Sequence, residues 1–202
     1  MLPHFGRVAC AQAARLSIMR WLEIRRHSLT KKGDARGRGS HLSAAGVSLA
    51  RAVGAELGAF AYVLSSASPR AIETAVAMGY SVDDTVEMPS GYVEGEVAHH
   101  DQWRWQSPYE VYTELIESKG GLAQAARANL DLWIQVAASV PEGCAALVVA
   151  HGGSIEPTLV SALPEANHRG WGAPFRHCDG CRLAFRDGRF QEVTFSRAPV
   201  LG

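Results

Sequence analysis

An arginine and a histidine at the end of a short apolar stretch, Arg26 and His27, are the residues best suited to chemistry. The preceding residues 21–24 predict a strand, and the end of a strand in a parallel sheet is a rigid position for a reactive side chain. A histidine held there presents one ring nitrogen outward. The adjacent arginine supplies a permanent positive charge and a planar set of donors. The pair predicts a histidine nucleophile that faces a phosphoryl group.

A second cluster follows an apolar run over residues 60–64, which predicts a buried strand. Ser68 and Pro69 fit the N-cap and the first turn of a helix, so Arg70 lies in the first turn, just after a strand end. Helix N-termini attract anions, and an arginine there strengthens the effect. The alternative for Arg70 is a surface ion pair with a nearby glutamate.

A third cluster, His151 and Gly152, follows the continuous apolar run 145–150, which is typical of a central parallel strand. In open α/β sheets, ligands bind beyond the carboxyl ends of the strands, so the three clusters are expected to converge. Two arginines would clamp a phosphoryl group by charge-assisted hydrogen bonds. One neutral histidine would attack phosphorus, and the other would stabilise charge in the transition state.

The remaining pattern predicts a single α/β domain over residues 19–202, with an insertion at about 81–120. An Asp-Gly pair, Asp187-Gly188, predicts a hairpin turn between two strands. Apolar periodicity and end signals predict the helices. The expected elements are helices over 43–58, 69–75, 108–118, 122–140 and 155–163, and hairpin strands over 181–185 and 189–195.

Composition limits the functional classes. Of 202 residues, 20 are Lys or Arg and 20 are Asp or Glu, and this balance argues against a general nucleic-acid or membrane binder. No stretch approaches the ~20 apolar residues of a membrane span. The four cysteines are too few and irregular for a disulfide framework, which predicts a reducing, cytoplasmic location. The Cys178–Cys181 C-x-x-C lacks the second ligand pair of a zinc site, so a turn with two thiols is the preferred interpretation.

Three further segments have open roles. Residues 1–18 are basic, Ala-rich and free of acids; they fit a transit peptide or a loosely packed extension, peripheral or disordered. In the basic loop 29–41, Arg36 and Arg38 are candidates for substrate contact. His99, His100 and Asp101 are metal-ligand types, although a solvated loop is preferred. Trp103 and Trp105 either shield a pocket or pack the insertion onto the core.

Four motifs in order resemble the histidine phosphatase superfamily, which has the phosphoglycerate mutase-like fold. Any one of them is weak, but the four together, spread over residues 20–190, are specific. They are Arg26-His27-Ser28, Leu42-Ser43-Ala44-Ala45-Gly46, the segment from Ser65-Ser66 through Arg70-Ala71 to Thr74-Ala75, and His151-Gly152. The resemblance implies a three-layer α/β/α fold with a mostly parallel central sheet.

The resemblance also implies roles for individual residues. His27 would accept the phosphoryl group, and Arg26, Arg70 and His151 would form the phosphate pocket. Ser28 and Gly152 would contact the substrate as well. The general acid of the family is usually a glutamate after the second arginine, and Glu94 is preferred here over Glu96. The expected partner is a small phosphorylated substrate, with no metal or other cofactor.

Two departures from the motif affect the expected activity: Ser28 replaces a glycine, and Leu29 replaces an acid. They weaken a sugar-phosphate mutase more than simple hydrolysis. The sequence therefore predicts a metal-independent phosphatase that hydrolyses a phosphomonoester through a phosphohistidine on His27. The alternatives are a phosphoglycerate-mutase-type phosphotransferase, a protein-phosphohistidine phosphatase and a non-catalytic phospho-ligand-binding module. The substrate and the oligomeric state stay open.

Overall fold

The structure, a computed structural model, describes residues 19–31 and 39–199. The expectations for the 1–18 extension and for Arg36 and Arg38 lie outside these residues. The strands are β1 (Arg20–Arg26), β2 (Tyr62–Ser66), β3 (Asp84–Val86), β4 (Ala145–Ala150), β5 (Gly180–Arg186) and β6 (Arg189–Ser196). The helices are α1 (Ala44–Ala55), α2 (Pro69–Ala77), α3 (Pro108–Glu117), α4 (Gly121–Ser139) and α5 (Ile155–Ala162). Short 3₁₀ helices span Asp101–Trp103 and His168–Trp171.

The six strands of the described chain form one sheet in the order β3-β2-β4-β1-β5-β6. The first four are parallel to one another, and β5 and β6 continue the sheet antiparallel. The expected α/β class and the mostly parallel sheet are confirmed.

Helices cover both faces of the sheet because β4 is apolar on both sides, with all six residues buried. Leu147 and Val149 pack with α2 on one face, where α1 packs on α2. Ala146 and Val148 point into the larger core on the other face, beneath α3, α4 and α5. The alternation of side chains along one buried strand therefore produces the three layers.

Local signals in the sequence account for most element ends. Ser43 caps α1 by accepting a hydrogen bond from the Gly46 amide at 3.0 Å. Asp187 and Gly188 both have positive φ, 53° and 78°, as a two-residue hairpin turn requires. Among the described residues, no helix combines the length and the apolar character needed to cross a membrane.

One element differs from the expectation. Residues 84–86 fall in the expected insertion, for which no strand is predicted, but they form the parallel edge strand β3 beside β2. The strand has only three residues, two of them exposed, so no apolar run marks it. Tertiary hydrogen bonds hold it instead: the Val63 amide donates to Asp83 Oδ2 at 2.8 Å, and the Ala67 amide donates to the Val86 carbonyl at 3.0 Å.

Candidate active site

The carboxyl ends of the parallel strands lie level along one edge of the sheet. Arg26 of β1 pairs with Ala150 of β4, and Ser66 of β2 pairs with Val86 of β3. The Ser65–Val149 pair aligns β2 with β4 in the same way. The next residues along β1, β4 and β3 are His27, His151 and Glu87. Strand register therefore brings chemically active side chains from distant parts of the chain to one edge.

His27 is 8% exposed, and its ring orientation is fixed by one hydrogen bond. Nδ1 lies 2.8 Å from the Ser28 carbonyl, and because a carbonyl only accepts, Nδ1 must carry the proton. In the neutral ring the lone pair is then on Nε2. The Ser28 amide is itself held by Thr74 Oγ1 at 2.9 Å. Helix α2 thus supports the loop that orients His27.

His151 is fixed as the opposite tautomer. Arg70 Nη2 lies 3.2 Å from Nδ1, and because a guanidinium only donates, Nδ1 accepts. Nε2 therefore carries the proton and donates to Ser66 Oγ at 2.7 Å. The rings of His151 and His27 are 5.2 Å apart between centroids. The four predicted pocket residues, Arg26, His27, Arg70 and His151, therefore lie close together.

Arg26 is 6% exposed and is held against the turn after β4. Its Nη1 donates to the Phe175 carbonyl at 2.5 Å. A Cβ at Gly152 would lie 2.9 Å from Arg26 Cζ, so the close approach requires glycine. Within the described chain, Arg26 Nε is buried with no hydrogen-bond partner. A buried, unpaired donor is costly, and this one lies against Gly152.

The electrostatics favour neutral histidines beside fixed cations. Burial, followed by the charge of Arg26, lowers the pKa of His27 well below its usual range. Burial and the charges of Arg70 and Arg26 lower the pKa of His151 to about 3. Burial, and then Arg26, also lower the pKa of Arg70. Both imidazole rings are therefore neutral at neutral pH, with one protonated nitrogen each, and a nucleophilic histidine must be neutral.

A cavity of about 300 Å³ opens beside this group, lined by Arg70, His151 and Gly152 on one side and by residues 87–92 on the other. Glu87, the first residue after β3, is exposed and belongs to this lining. Sequence reasoning missed Glu87 because β3 was not recognised. The rule that located His27 and His151, a polar residue directly after a parallel strand, also applies to Glu87.

The glutamates preferred from sequence lie elsewhere. Glu94 is exposed and does not line the cavity. Glu96 caps α4: its carboxylate accepts from the amides of Gly121 at 2.6 Å and Leu122 at 3.0 Å. The structure therefore brings neither residue to the histidines.

The expected substrate contact of the Ser28 hydroxyl is not supported, because this hydroxyl donates to the Gly46 carbonyl at 2.7 Å. Ser28 is fully buried, so its side chain is directed into the protein and leaves the phosphate pocket clear. The glycine of the motif is thus replaced by a small residue that finds its partner in α1.

A further buried residue, Glu156, connects the turn after β4 to Arg26. It is fully buried, and its two oxygens accept from the amides of Gly153 at 2.6 Å and Phe175 at 3.0 Å. The carbonyl of Phe175 in turn accepts from Arg26. Burial raises the pKa of Glu156, and Arg26 opposes the rise. Phe175 is distant in sequence, and Gly153 meets Glu156 only through the shape of the turn. No local pattern in the sequence therefore identifies Glu156.

The other candidates show no metal geometry. No group of three or more His, Cys, Asp or Glu in the described ranges is arranged to hold an ion. Cys178 and Cys181 are free and buried. Trp105 packs edge-on against Tyr112 at 5.1 Å, whereas Trp103 lies over the Arg26 guanidinium at 5.8 Å.

Comparison with known proteins identifies the class. The sequence profile of the histidine phosphatase superfamily (branch 1) matches residues 22–197. The chain belongs to this superfamily. A comparison with curated protein sequences gives no match.

Solved structures share the phosphoglycerate mutase-like fold. A mycobacterial glucosyl-3-phosphoglycerate phosphatase is 20% identical, with a TM-score of 0.60 over 89% of this chain and 100% of that one. A phosphoserine phosphatase from Entamoeba histolytica is 17% identical, with a TM-score of 0.63 over 88% and 97%. A phosphoglycerate mutase from Bacillus anthracis is 20% identical, with a TM-score of 0.60 over 87% and 92%. These similarities establish the fold.

Proposed function

We propose that the protein is a phosphatase that hydrolyses a small phosphomonoester through a phosphohistidine on His27. The observation that carries the proposal is the bond from His27 Nδ1 to the Ser28 carbonyl, which leaves the Nε2 lone pair available beside two arginines. The positive charges of Arg26 and Arg70, which both act on His27, support an anionic ligand at the same place. The phosphatases among the similar structures favour hydrolysis over transfer.

In the first step, Arg26 and Arg70 hold the phosphoryl oxygens while His27 Nε2 attacks phosphorus. The N–P bond forms, the P–O bond to the alcohol breaks, and the leaving oxygen takes a proton from Glu87. The order of strands β1, β4 and β3 supports these roles, because it separates His27 from Glu87 with His151 between them. In-line displacement needs the nucleophile and the acid on opposite sides of phosphorus.

In the second step, water attacks the phosphohistidine. Glu87, now a carboxylate, accepts a proton from the water as the O–P bond forms and the N–P bond breaks. His27 returns to its starting tautomer, and inorganic phosphate leaves. His151 donates a hydrogen bond through its Nε2 proton when phosphate displaces the Ser66 hydroxyl, which stabilises the charge on an equatorial oxygen.

The proposal includes the expectation that hydrolysis needs no metal ion. Two arginines and the Nε2–H group of His151 supply the positive potential that metal ions provide in other phosphoryl-transfer sites. Adding a chelator should therefore leave the rate of hydrolysis unchanged. Loss of activity in chelator, restored by a divalent ion, would direct attention to His99 and His100 as metal ligands.

The direct test is to trap the phosphoenzyme, which should be stable in base and labile in acid, during hydrolysis of phenyl phosphate. Wild-type protein should form a phosphohistidine and release inorganic phosphate, and His27→Ala should do neither. His41→Ala is the matched control, because His41 is an exposed histidine bonded to Glu73. Activity that survives His27→Ala would refute the mechanism. Phosphate that moves between positions of a substrate without release would indicate the phosphotransferase instead.

A further inference from the structure

Tyr92 is a polar side chain of the active-site cavity that the proposed mechanism leaves unused. It lines the cavity together with Arg70, His151 and Glu87, and its ring packs against the larger core. A phenol hydroxyl both donates and accepts hydrogen bonds, so its role depends on the neighbours that fix it.

The phenol of Tyr92 lies against the turn after β4. A Cβ at Gly153 would be 2.6 Å from Tyr92 Cζ and 2.8 Å from its hydroxyl oxygen, so this contact leaves no room for a side chain. The preceding residue, Gly152, lies against Arg26 in the same way. Two adjacent residues of one turn therefore contact the phenol and the guanidinium that is proposed to hold phosphate.

Gln102 determines where the phenol proton points. It is fully buried, and its Nε2 donates to the Tyr92 hydroxyl oxygen at 2.9 Å. Because this oxygen accepts from Gln102, the phenol donates its own proton to a different partner. Among the described residues, that partner is His100 Nδ1 at 3.5 Å, which is long for an O–H···N bond. The proton is thus weakly held and available to a ligand.

The position of Gln102 has a cost. Its Oε1 is buried without a hydrogen-bond partner in the described part of the chain, and a buried unpaired acceptor is destabilising. A well-packed apolar residue would avoid this cost. What the amide supplies in return is the hydrogen bond to Tyr92.

The phenol keeps its proton under the conditions in which His27 is neutral. Burial raises the pKa of Tyr92, and the hydrogen bond from Gln102 opposes this rise only in part. The hydroxyl is therefore a neutral donor at neutral pH. A donor that is oriented before the substrate binds needs no reorganisation during the reaction.

We propose that Tyr92 is a further catalytic residue, whose hydroxyl donates a hydrogen bond to a non-bridging phosphoryl oxygen in the transition state. Gln102 is the positioning residue that directs this hydroxyl. The inference rests on the proposed phosphatase function and adds a neutral donor from the insertion to the charged groups of the strand ends.

The first test is hydrolysis of phenyl phosphate by Tyr92→Phe, which removes one oxygen atom and keeps the ring. The value of kcat should fall about 10-fold to 100-fold with KM within about twofold, because the hydrogen bond is strongest in the transition state. Tyr80→Phe is the matched control, because the Tyr80 hydroxyl donates to the Gly58 carbonyl outside the cavity. It should change neither constant.

Inhibition separates a transition-state contact from a general loss of structure. Orthovanadate adopts the five-coordinate geometry of phosphorus during transfer, whereas inorganic phosphate resembles the ground state. Tyr92→Phe should weaken inhibition by orthovanadate by about the factor lost in kcat and should leave inhibition by phosphate within about twofold. Equal effects on the two inhibitors would refute the transition-state contact.

The role of Gln102 is tested in two backgrounds. Gln102→Met keeps the length of the side chain and removes the donor, so kcat should fall about threefold to tenfold in otherwise wild-type protein. In Tyr92→Phe the same change should have no further effect on kcat, because Gln102 acts through the phenol. Equal losses in both backgrounds would refute the positioning role.

The outcomes also separate this inference from the proposed function. If wild type hydrolyses phenyl phosphate and Tyr92→Phe does so with the same kcat, the inference is refuted while the phosphatase function stands. If wild type neither hydrolyses the ester nor forms a phosphohistidine, both are refuted.

Discussion

The two sides of the site differ in how they are held. The strand-end side carries His27 and Arg26, which are buried, and His151, which is partly buried. Hydrogen bonds to backbone carbonyls and neighbouring side chains fix all three. The opposite side, residues 87–107, is largely irregular and exposed. From this difference we expect the proposed reaction to depend on the sheet and substrate selection to depend on the irregular segment.

The largest effect is expected from Arg70→Met, because Arg70 contacts His151 on the strand-end side. Loss of the guanidinium removes a phosphate donor and the partner of His151 Nδ1, so kcat/KM for phenyl phosphate should fall about 100-fold to 1,000-fold. Arg51→Met, an exposed arginine of α1, should be silent in the same assay. Equal losses for the two variants would show that Arg70 contributes only general positive charge.

Glu87 lines the cavity and Glu94 does not, so the two glutamates can be compared by substitution. Glu87→Gln should lower hydrolysis of phenyl phosphate about 100-fold, because a poor leaving group needs a proton. The loss should be smaller with nitrophenyl phosphate, whose leaving group needs less help. Glu94→Gln should stay within about twofold. A larger loss for Glu94→Gln would restore the assignment expected from sequence.

A smaller effect, on stability, is expected from Glu156→Gln. The amide turns one accepted backbone hydrogen bond into a donor–donor contact, so the free energy of unfolding should fall by about 1–3 kcal/mol. Urea unfolding measures it, with exposed Glu114→Gln on α3 as the control. If the two variants were equally stable, Glu156 would not hold the turn after β4.

The smallest effect concerns pH. The pKa of His177 is about 4 in the folded protein and near 6.5 when unfolded, so the unfolded chain binds more protons between these values. Stability should therefore fall as the pH drops from about 6.5 towards 4. His177→Gln should reduce the loss measured by urea unfolding between pH 7 and pH 5 by on the order of 1 kcal/mol. An unchanged loss would show that the pKa of His177 is the same in the folded and unfolded states.

The buried side was largely predictable from sequence, and the other side was not. Apolar runs that end in Arg26-His27 and His151-Gly152 mark strand ends, and parallel pairing brings such ends together. Glu87 was missed because β3 is short and exposed and is held by contacts with β2 that no local pattern records.

Glu156 was missed for a related reason. Its partner Phe175 is 19 residues away, and only the folded chain brings the two together. The choice of Glu94 followed from its distance along the chain after Arg70, and chain distance in an irregular segment does not determine direction in space.

The cap that Glu96 places on α4 has a bearing on attempts to change specificity by loop exchange. A grafted segment that replaced residues 87–107 would remove the acceptor for the amides of Gly121 and Leu122. These amides begin the 19-residue helix whose side chains fill much of the larger core. A transplanted loop therefore needs a carboxylate at the position of Glu96, or the new specificity will come with a weakened scaffold.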